Sequence, residues 1–144
     1  MPIINKVLLI DDDEVNNFIN ARLLKKLSVA ENIQISCNGA EGLRYLQQLP
    51  PHSADFPDLL LLDINMPVMD GFEFLQRFSA IDFERKRPVV IMLTTSSNEK
   101  DLYQVRQFTE VAGYLNKPLN EEKLKAIVRK HFFHEPEKAL VTSK

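Results

Sequence analysis

The chain has 144 residues, of which 44% are hydrophobic and 26% are charged. This length and composition fit one soluble globular domain and exclude a chain that is mainly disordered. Lys and Arg number 18 against 20 Asp and Glu, so the formal net charge of -2 gives no general attraction for nucleic acid. We therefore expect protein partners and no direct binding to nucleic acid.

The single cysteine and the N-terminal sequence indicate the cellular compartment. Cys37 has no second cysteine with which to form an internal disulfide, and we predict that it is a small buried side chain at the end of a strand. The apolar run after Lys6 is interrupted by three acidic residues, so it is too short for a secretory signal or a membrane span. We expect a cytoplasmic protein without membrane insertion.

Short apolar runs alternate with helical patterns along the chain. Five runs predict β-strands, at residues 7–10, 33–37, 59–62, 89–93 and 113–115. Apolar residues fall on one face of each of three predicted helices, as is typical of a helix that packs on a core. They are Val15, Phe18, Ile19, Leu23 and Leu27 in the first, Leu102, Val105 and Phe108 in the fourth, and Leu124, Ile127 and Val128 in the fifth.

Short polar residues followed three positions later by an acid mark helix N-termini. The pairs are Asn38 with Glu41, Asp70 with Glu73, and Ser96 with Glu99. The resulting order is strand then helix, five times, which predicts an α/β fold with a doubly wound parallel sheet and helices on both faces. We expect the flavodoxin-like strand order 2-1-3-4-5.

Polar residues stand at the carboxyl ends of these predicted strands. They are Asp11, Asp12 and Asp13 after the first strand, Asp63 at the end of the third, Thr94 at the end of the fourth, and Lys117 after the fifth. Ligands bind at this edge of an open parallel sheet, and the first and third strands are neighbours in the expected order. The acidic residues that follow the first strand would therefore face Asp63.

Clustered carboxylates require a cation or a proton. Two unit charges about 5 Å apart repel by roughly 3 kcal/mol at an effective dielectric constant near 20. Oxygen ligands without nearby cysteine or histidine favour Mg2+, with Mn2+ as the second choice, over zinc. The sequence therefore predicts a divalent metal site, with the charge of Lys117 on its other side.

Four motifs in this order resemble the receiver domain of bacterial two-component response regulators, the family that includes the chemotaxis response regulator. The motifs are LLIDDDE, LLLLDINMPVMDG, VIMLTTS and GYLNKP. The resemblance covers residues 5–132, which we expect to form one receiver domain. Residues 133–144 contain Pro136 and little apolar spacing, so we expect a loosely attached C-terminal tail.

The resemblance implies a role for each residue of the constellation. Asp63 would accept a phosphoryl group from the phosphohistidine of a sensor histidine kinase or of a histidine phosphotransfer protein. The metal would be held by Asp12, Asp63 and the backbone carbonyl of Asn65, and by Asp11 through water. Thr94 and Lys117 would each contact one phosphoryl oxygen. A cis bond is expected before Pro118.

The resemblance also implies a signalling role. The protein would not be an enzyme, because the only reactions that it would catalyse are its own phosphorylation and slow dephosphorylation. Thr94 and Tyr114 would form a switch that reshapes the face of the fourth helix, fifth strand and fifth helix, near Tyr103 and Lys123, for a downstream protein target.

Some residues depart from the family pattern. Thr95 stands where the family usually has a very small residue. We expect its larger side chain to narrow access to the phosphoryl group or to alter the switch. Asn65 and Ser96 occupy positions that tune self-dephosphorylation in the family, and neither is charged. Asp13 has no matching role and is expected to cap the first helix. The sequence leaves open the lifetime of the phosphorylated state, the kinase, the stimulus and the oligomeric state.

These residues also fit other interpretations. The acidic triplet alone fits an ordinary capping loop, Thr94 a strand end and Lys117 a solvated charge. An aspartate-based phosphatase typically needs a second acid where this chain has Asn65. A calcium loop needs glycine at its sixth position, whereas DINMPVMDG has it at the ninth, and flavin binding would need a hydroxyl-rich loop after the first strand. Within the receiver interpretation, a relay intermediate that passes phosphate on to a histidine phosphotransfer domain is the alternative to an end-point regulator.

Overall fold

A computed structural model describes residues 3–50, 53–81, 87–95 and 98–132. Within these ranges, five strands alternate with five helices, as β1 (Ile4–Ile10), α1 (Glu14–Lys26), β2 (Ala30–Ser36), α2 (Gly39–Gln48), β3 (Leu59–Asp63), α3 (Gly71–Ser79), β4 (Val89–Thr94), α4 (Glu99–Arg106), β5 (Val111–Asn116) and α5 (Glu121–His131). The strands form one parallel sheet of order β2-β1-β3-β4-β5. The predicted fold class and strand order are confirmed. The predicted tail, residues 133–144, lies outside the described residues.

The central strand β3 is buried along its whole length. It pairs with β1 on one side and with β4 on the other, so that Ile10 lies opposite Leu62 and Asp63 opposite Leu93. Successive side chains of a strand point to opposite faces, and each face of this sheet is covered by helices. The run of four leucines before Asp63 is therefore explained, because both faces of β3 are in the core.

Two apolar clusters lie on the two faces of the sheet. Leu60 and Leu62 of β3 pack with residues of α2, α3 and α4, including Leu43, Phe74 and Val105. Leu59 and Leu61 pack with residues of α1 and α5, including Leu24, Leu124 and Ile127. Full burial of one such side chain contributes about 1.5 to 3 kcal/mol. Because the strands are parallel, their carboxyl ends lie at one edge of the sheet, and the two clusters keep the strands in place there.

The predicted core face of α1 is wrong for three of its five residues, whereas Leu23 and Leu27 are partly buried and pack against the core. Val15, Phe18 and Ile19 are 66%, 59% and 50% exposed, whereas the buried residues of this helix are Asn17, Asn20 and Leu24. Two stripes at helical spacing exist on α1, and spacing alone does not decide which one faces the sheet. The helix buries the stripe that contains two asparagines and leaves three of its apolar residues largely exposed.

The predicted burial of Cys37 is also wrong. The strand ends at Ser36, which is buried, and Cys37 is exposed. Strand β2 is an outer strand of the sheet, and neighbouring residues of a strand point to opposite faces. Because the Ser36 side chain points into the core, the next residue points away from it. The cysteine therefore belongs to the loop before α2.

Capping residues begin the helices as predicted in two of three cases. The side chains of Asn38 and Asp70 accept hydrogen bonds from the backbone N–H of Glu41 and Glu73, both at 2.9 Å. Helix α4 differs, because Asn98 is its cap and accepts from the backbone N–H of Lys100 at 2.8 Å. The predicted cap Ser96 lies outside the described residues. In the described part of the chain, none of the helices is long and apolar enough to cross a membrane.

Candidate functional site

Three carboxylates meet at the edge of the sheet where the strands end. Oxygen atoms of Asp11, Asp12 and Asp63 all lie within 4.8 Å of one another. Asp11 and Asp63 are buried and Asp12 is exposed. The structure thus brings together the acidic residues that the sequence placed after β1 and at the end of β3.

Lys117 lies between two of these carboxylates. Its ammonium nitrogen is 2.8 Å from Oδ2 of Asp11 and 3.3 Å from Oδ1 of Asp63. The backbone N–H of Lys117 donates to the carbonyl of Thr94 at 2.8 Å, and the bond to Pro118 is cis, as expected. Lys117 is therefore part of the site and not a solvated charge.

Burial raises the pKa of the Asp63 carboxyl to about 6, although the Lys117 ammonium acts in the opposite direction, and the Asp11 carboxylate adds to the rise. Burial acts to lower the pKa of Lys117, but the hydrogen bond to Asp11 and the charges of Asp63 and Asp11 outweigh it and raise that pKa. The lysine therefore remains an ammonium at neutral pH. The buried Asp63 carboxylate is poorly compensated by the protein alone.

The acidic loop after β1 is held by hydrogen bonds to its own backbone. The backbone N–H of Asp13 donates to Oδ1 of Asp11 at 2.9 Å, and the Asp13 side chain accepts from Val15 and Asn16 at the start of α1. This confirms that Asp13 is the helix cap. The side-chain amide of Asn17 donates to the backbone carbonyl of Asp11 at 2.8 Å.

The loop after β3 carries Asn65, which is exposed. This loop is closed by the backbone N–H of Gly71, which donates to the carbonyl of Ile64 at 2.7 Å. A Cβ atom on Gly71 would collide with the backbone carbonyl oxygen of Asp63. Glycine is therefore needed where α3 begins directly against the end of β3.

Thr94 and Tyr114 lie on the same face of the sheet. Met92 is the β4 residue opposite Tyr114, and Thr94 is two residues further along β4. Thr94 is fully buried, whereas Tyr114 is half-buried and packs against the cluster that contains Met92. Thr95 is exposed at the strand end, and Ser96 is outside the described residues.

The donor set fits a hard divalent cation. Three carboxylates within 4.8 Å supply oxygen ligands, and Mg2+ is typically bound through one or two carboxylates while it keeps several waters. One of the three carboxylates is exposed, which leaves solvent access for those waters. Lys117 contacts Asp11 and Asp63, and among the residues that the structure describes no ammonium forms an ion pair with Asp12.

The family model described as the response regulator receiver domain matches residues 7–129. The chain therefore belongs to this family, whose members bind Mg2+ at an acidic pocket and act in two-component signalling. A probable methanogenesis regulatory protein of Methanothrix harundinacea, FilR2, is 32% identical over 122 residues, which cover 85% of this chain and 77% of that relative. Two further relatives are longer than this chain. It spans 50% of the probable C4-dicarboxylate response regulator DctR of Halalkalibacterium halodurans and 7% of the hybrid signal transduction histidine kinase L of Dictyostelium discoideum.

Solved structures of response regulators have the same fold. A two-component response regulator from Cytophaga hutchinsonii superposes with a TM-score of 0.78 at 29% identity, covering 88% of this chain and 96% of that one. The phosphorylated cyanobacterial phytochrome response regulator RcpA gives a TM-score of 0.70 at 31% identity, covering 88% and 89%. The resemblance drawn from the four motifs is thus confirmed at the level of family and fold.

Two residues of the site were missed by the sequence analysis. Gly71 is the glycine of DINMPVMDG that was compared only with a calcium loop, and its contact with Asp63 depends on how closely α3 approaches β3. Asn17 was not considered at all. The available signal was the pair of asparagines, Asn17 and Asn20, spaced for one helical face beside the acidic triplet.

Proposed function

We propose that this receiver domain accepts a phosphoryl group on Asp63 in a reaction that depends on Mg2+. The observation that supports this most strongly is the buried Asp63 carboxylate, which lies within 4.8 Å of those of Asp11 and Asp12 and 3.3 Å from the Lys117 ammonium. A buried carboxylate beside a lysine is suited to receive a negatively charged group, because the ammonium offsets part of that charge and the neighbouring carboxylates can hold a cation that offsets more of it.

Each residue of the chain has a defined part in this proposal. An oxygen of the Asp63 carboxylate attacks phosphorus, and the bond from phosphorus to the donor's imidazole nitrogen breaks as the new P–O bond forms. Asp12, Asp63 and the backbone carbonyl of Asn65 would hold the Mg2+ directly, and Asp11 through water. The bound ion would offset negative charge on the phosphoryl oxygens. Lys117 and Thr94 would each donate to one of these oxygens.

The phosphoryl donor that we propose is a sensor histidine kinase or a histidine phosphotransfer protein. Receiver domains as a family interact with such proteins, and some relatives of this chain are themselves histidine kinases. Apart from its own phosphorylation and slow dephosphorylation, we assign the chain no catalytic activity. Its output would be a downstream protein that binds the phosphorylated form.

The signal would leave through the face of α4, β5 and α5. The hydroxyl of Thr94 would turn toward the phosphoryl group, and Tyr114 would move into the space that is left. This is supported by the position of Tyr114 beside Thr94 on one face of the sheet and by its half-buried side chain. Tyr103 on α4, which is 66% exposed, lies on the face that would change.

The test is to incubate the protein with Mg2+ and acetyl phosphate and to map the modified residue by mass spectrometry after borohydride reduction of the acyl phosphate. We expect label on Asp63, none in Asp63→Asn, and slower labelling with weaker Mg2+ binding in Asp12→Asn. Asp13→Asn is the matched control, because asparagine also caps helices and Asp13 has no role in the proposal.

Two results would contradict this proposal. Normal labelling of Asp63→Asn would show that another residue accepts phosphate. Equal loss of Mg2+ affinity in Asp12→Asn and Asp13→Asn would show that the roles given to these two neighbouring acids are wrong.

A further inference from the structure

Asn17 is a buried polar residue next to the acidic loop, and its placement is not explained by packing. We infer that Asn17 is a positioning residue of the Mg2+ site, which fixes the peptide between Asp11 and Asp12 and thereby sets where the Asp12 carboxylate stands. This inference rests on the proposed function, because it concerns the metal ligands named there. It adds a residue from α1 that touches neither the metal nor the phosphoryl group.

Of the two polar atoms of the Asn17 side chain, one has a hydrogen-bond partner among the described residues and the other has none. The residue is 3% exposed, and its amide nitrogen donates to the backbone carbonyl of Asp11 at 2.8 Å in a buried hydrogen bond. Its amide oxygen is buried and has no hydrogen-bond partner among the described residues. An unpaired buried oxygen is unfavourable for folding, since it loses its bonds to water. An apolar residue of the same shape would avoid that cost but would lose the donor.

The carbonyl that Asn17 holds belongs to the peptide that leads into Asp12. The orientation of this peptide plane sets the backbone angles on either side of it, and so the direction in which the Asp12 side chain leaves the chain. The same loop is held at Asp11, whose carboxylate contacts Lys117 and the backbone of Asp13. The Asp11–Asp12 peptide itself receives its side-chain hydrogen bond from Asn17.

Asp12 depends on this backbone support more than the other two acids do. Asp11 and Asp63 are each in contact with Lys117. Among the described residues, no hydrogen bond or ion pair joins the Asp12 carboxylate to another group, and the side chain is exposed. Its distance from the other carboxylates is therefore set by the backbone of the loop, and that backbone is set in part by Asn17.

The orientation of α1 agrees with such a role. The helix turns Asn17 and Asn20 toward the sheet and leaves Val15, Phe18 and Ile19 largely exposed. Apolar packing alone would favour the opposite rotation. The first turn of α1 is linked to the loop a second time, because the backbone N–H of Asn17 donates to the carbonyl of Asp13 at 3.0 Å.

The experiment compares Asn17→Leu with Asn20→Leu, the same change one turn later on the same buried face. Leucine has the branching of asparagine but neither donates nor accepts a hydrogen bond. The dissociation constant for Mg2+ is measured by titration followed in amide NMR spectra, and the rate of labelling by acetyl phosphate is measured at limiting and at saturating Mg2+. Thermal unfolding followed by circular dichroism shows that each variant is folded.

We expect Asn17→Leu to raise the dissociation constant for Mg2+ about tenfold, the size of effect typical of residues that orient metal ligands. Labelling should slow in parallel at limiting Mg2+ and recover at saturating Mg2+, a pattern that a loss of folded protein would not give. Asn20→Leu should change the dissociation constant by less than about twofold, as expected of an independent site. Asn17→Ala replaces Asn17→Leu should the latter lack a cooperative unfolding transition.

An unchanged Mg2+ affinity in the folded Asn17 variant, or an equal loss in Asn20→Leu, would overturn the inference while the proposed function stands. Wild-type protein that neither binds Mg2+ nor becomes labelled at Asp63 would overturn both. The wild-type measurement is made first, so the two failures are distinguished.

Discussion

The buried position of Asp63 lowers the stability of the folded protein when its carboxyl is ionised. It is buried beside another carboxylate, and the Lys117 ammonium compensates only in part, so burial raises its pKa from 3.8 to about 6. A folded state that binds a proton more tightly than the unfolded state loses stability as the pH rises through that interval. In the proposed function the ionised form attacks phosphorus, and this is the form that destabilises the fold.

The first prediction is that Asp63→Asn stabilises the metal-free protein at pH 7. The advantage should be about 2 kcal/mol as an order of magnitude, and it should disappear as the pH falls toward 4, where the folded wild-type carboxyl is protonated. The measurement is urea unfolding of both proteins in EDTA at several pH values. Asp70→Asn, a change at an exposed helix cap, is the control. An advantage that does not vary between pH 4 and pH 7 would contradict the raised pKa.

The second prediction concerns Gly71, where a side chain has no room. Gly71→Ala should lower the free energy of unfolding by about 1 to 3 kcal/mol, because the new Cβ collides with the carbonyl oxygen of Asp63 and the backbone must shift. Gly113→Ala is the matched control, since its Cβ would lie an ordinary 3.7 Å from Ile91. Equal urea midpoints for the two variants would show that α3 can move away from β3 without cost.

The residues of the site divide by how they could be predicted. Asp11, Asp12, Asp63, Thr94 and Lys117 all stand at carboxyl ends of strands, and parallel strands bring these ends to one edge whatever the details of packing. The contacts that Gly71 and Asn17 make in the site depend on the distance and rotation of a helix relative to the sheet. Those quantities come from the whole core and leave little trace in local sequence.

Among the helices, α1 is the one in which periodicity gave the wrong face for the first half. The helix has an apolar stripe and a stripe with two asparagines, and the second faces the sheet. The cap at Asp13 and the bond from Asn17 to the Asp11 carbonyl tie the start of this helix to the acidic loop. Helix α5 lacks such a conflict, and its predicted face of Leu124, Ile127 and Val128 is buried.

The third prediction tests this rotation of α1. Ile19→Ala should change the free energy of unfolding by no more than about 0.5 kcal/mol, because the side chain is 50% exposed. Leu24→Ala should cost about 2 to 5 kcal/mol, because this side chain is fully buried against the sheet. Both values come from urea unfolding. A large loss in Ile19→Ala with a small one in Leu24→Ala would mean that the apolar stripe faces the sheet after all.

In the molecule as a whole, the two apolar clusters hold the central strands, so that a conformational change is easiest at an outer strand of the sheet. Strands β3 and β4 are buried on both faces, so the ends of these strands are fixed. Strand β5 lies at the edge of the sheet and is only partly buried. In the proposed function, a signal that starts at Asp63 would therefore reach movable structure by way of β4 and β5.

The last prediction is that beryllofluoride, which stands in for the phosphoryl group, alters amide spectra along α4, β5 and α5 through the hydroxyl of Thr94. Thr94→Ser keeps the hydroxyl and should keep the shifts near Tyr103, Tyr114 and Lys123. Thr94→Val keeps the shape but lacks the hydroxyl, so shifts should stay near Asp63. Because Thr94 is fully buried, thermal unfolding of both variants is compared first. If Thr94→Val and wild type respond alike at Tyr114, the signal reaches this face without the Thr94 hydroxyl, and the proposed pairing of Thr94 with Tyr114 is wrong.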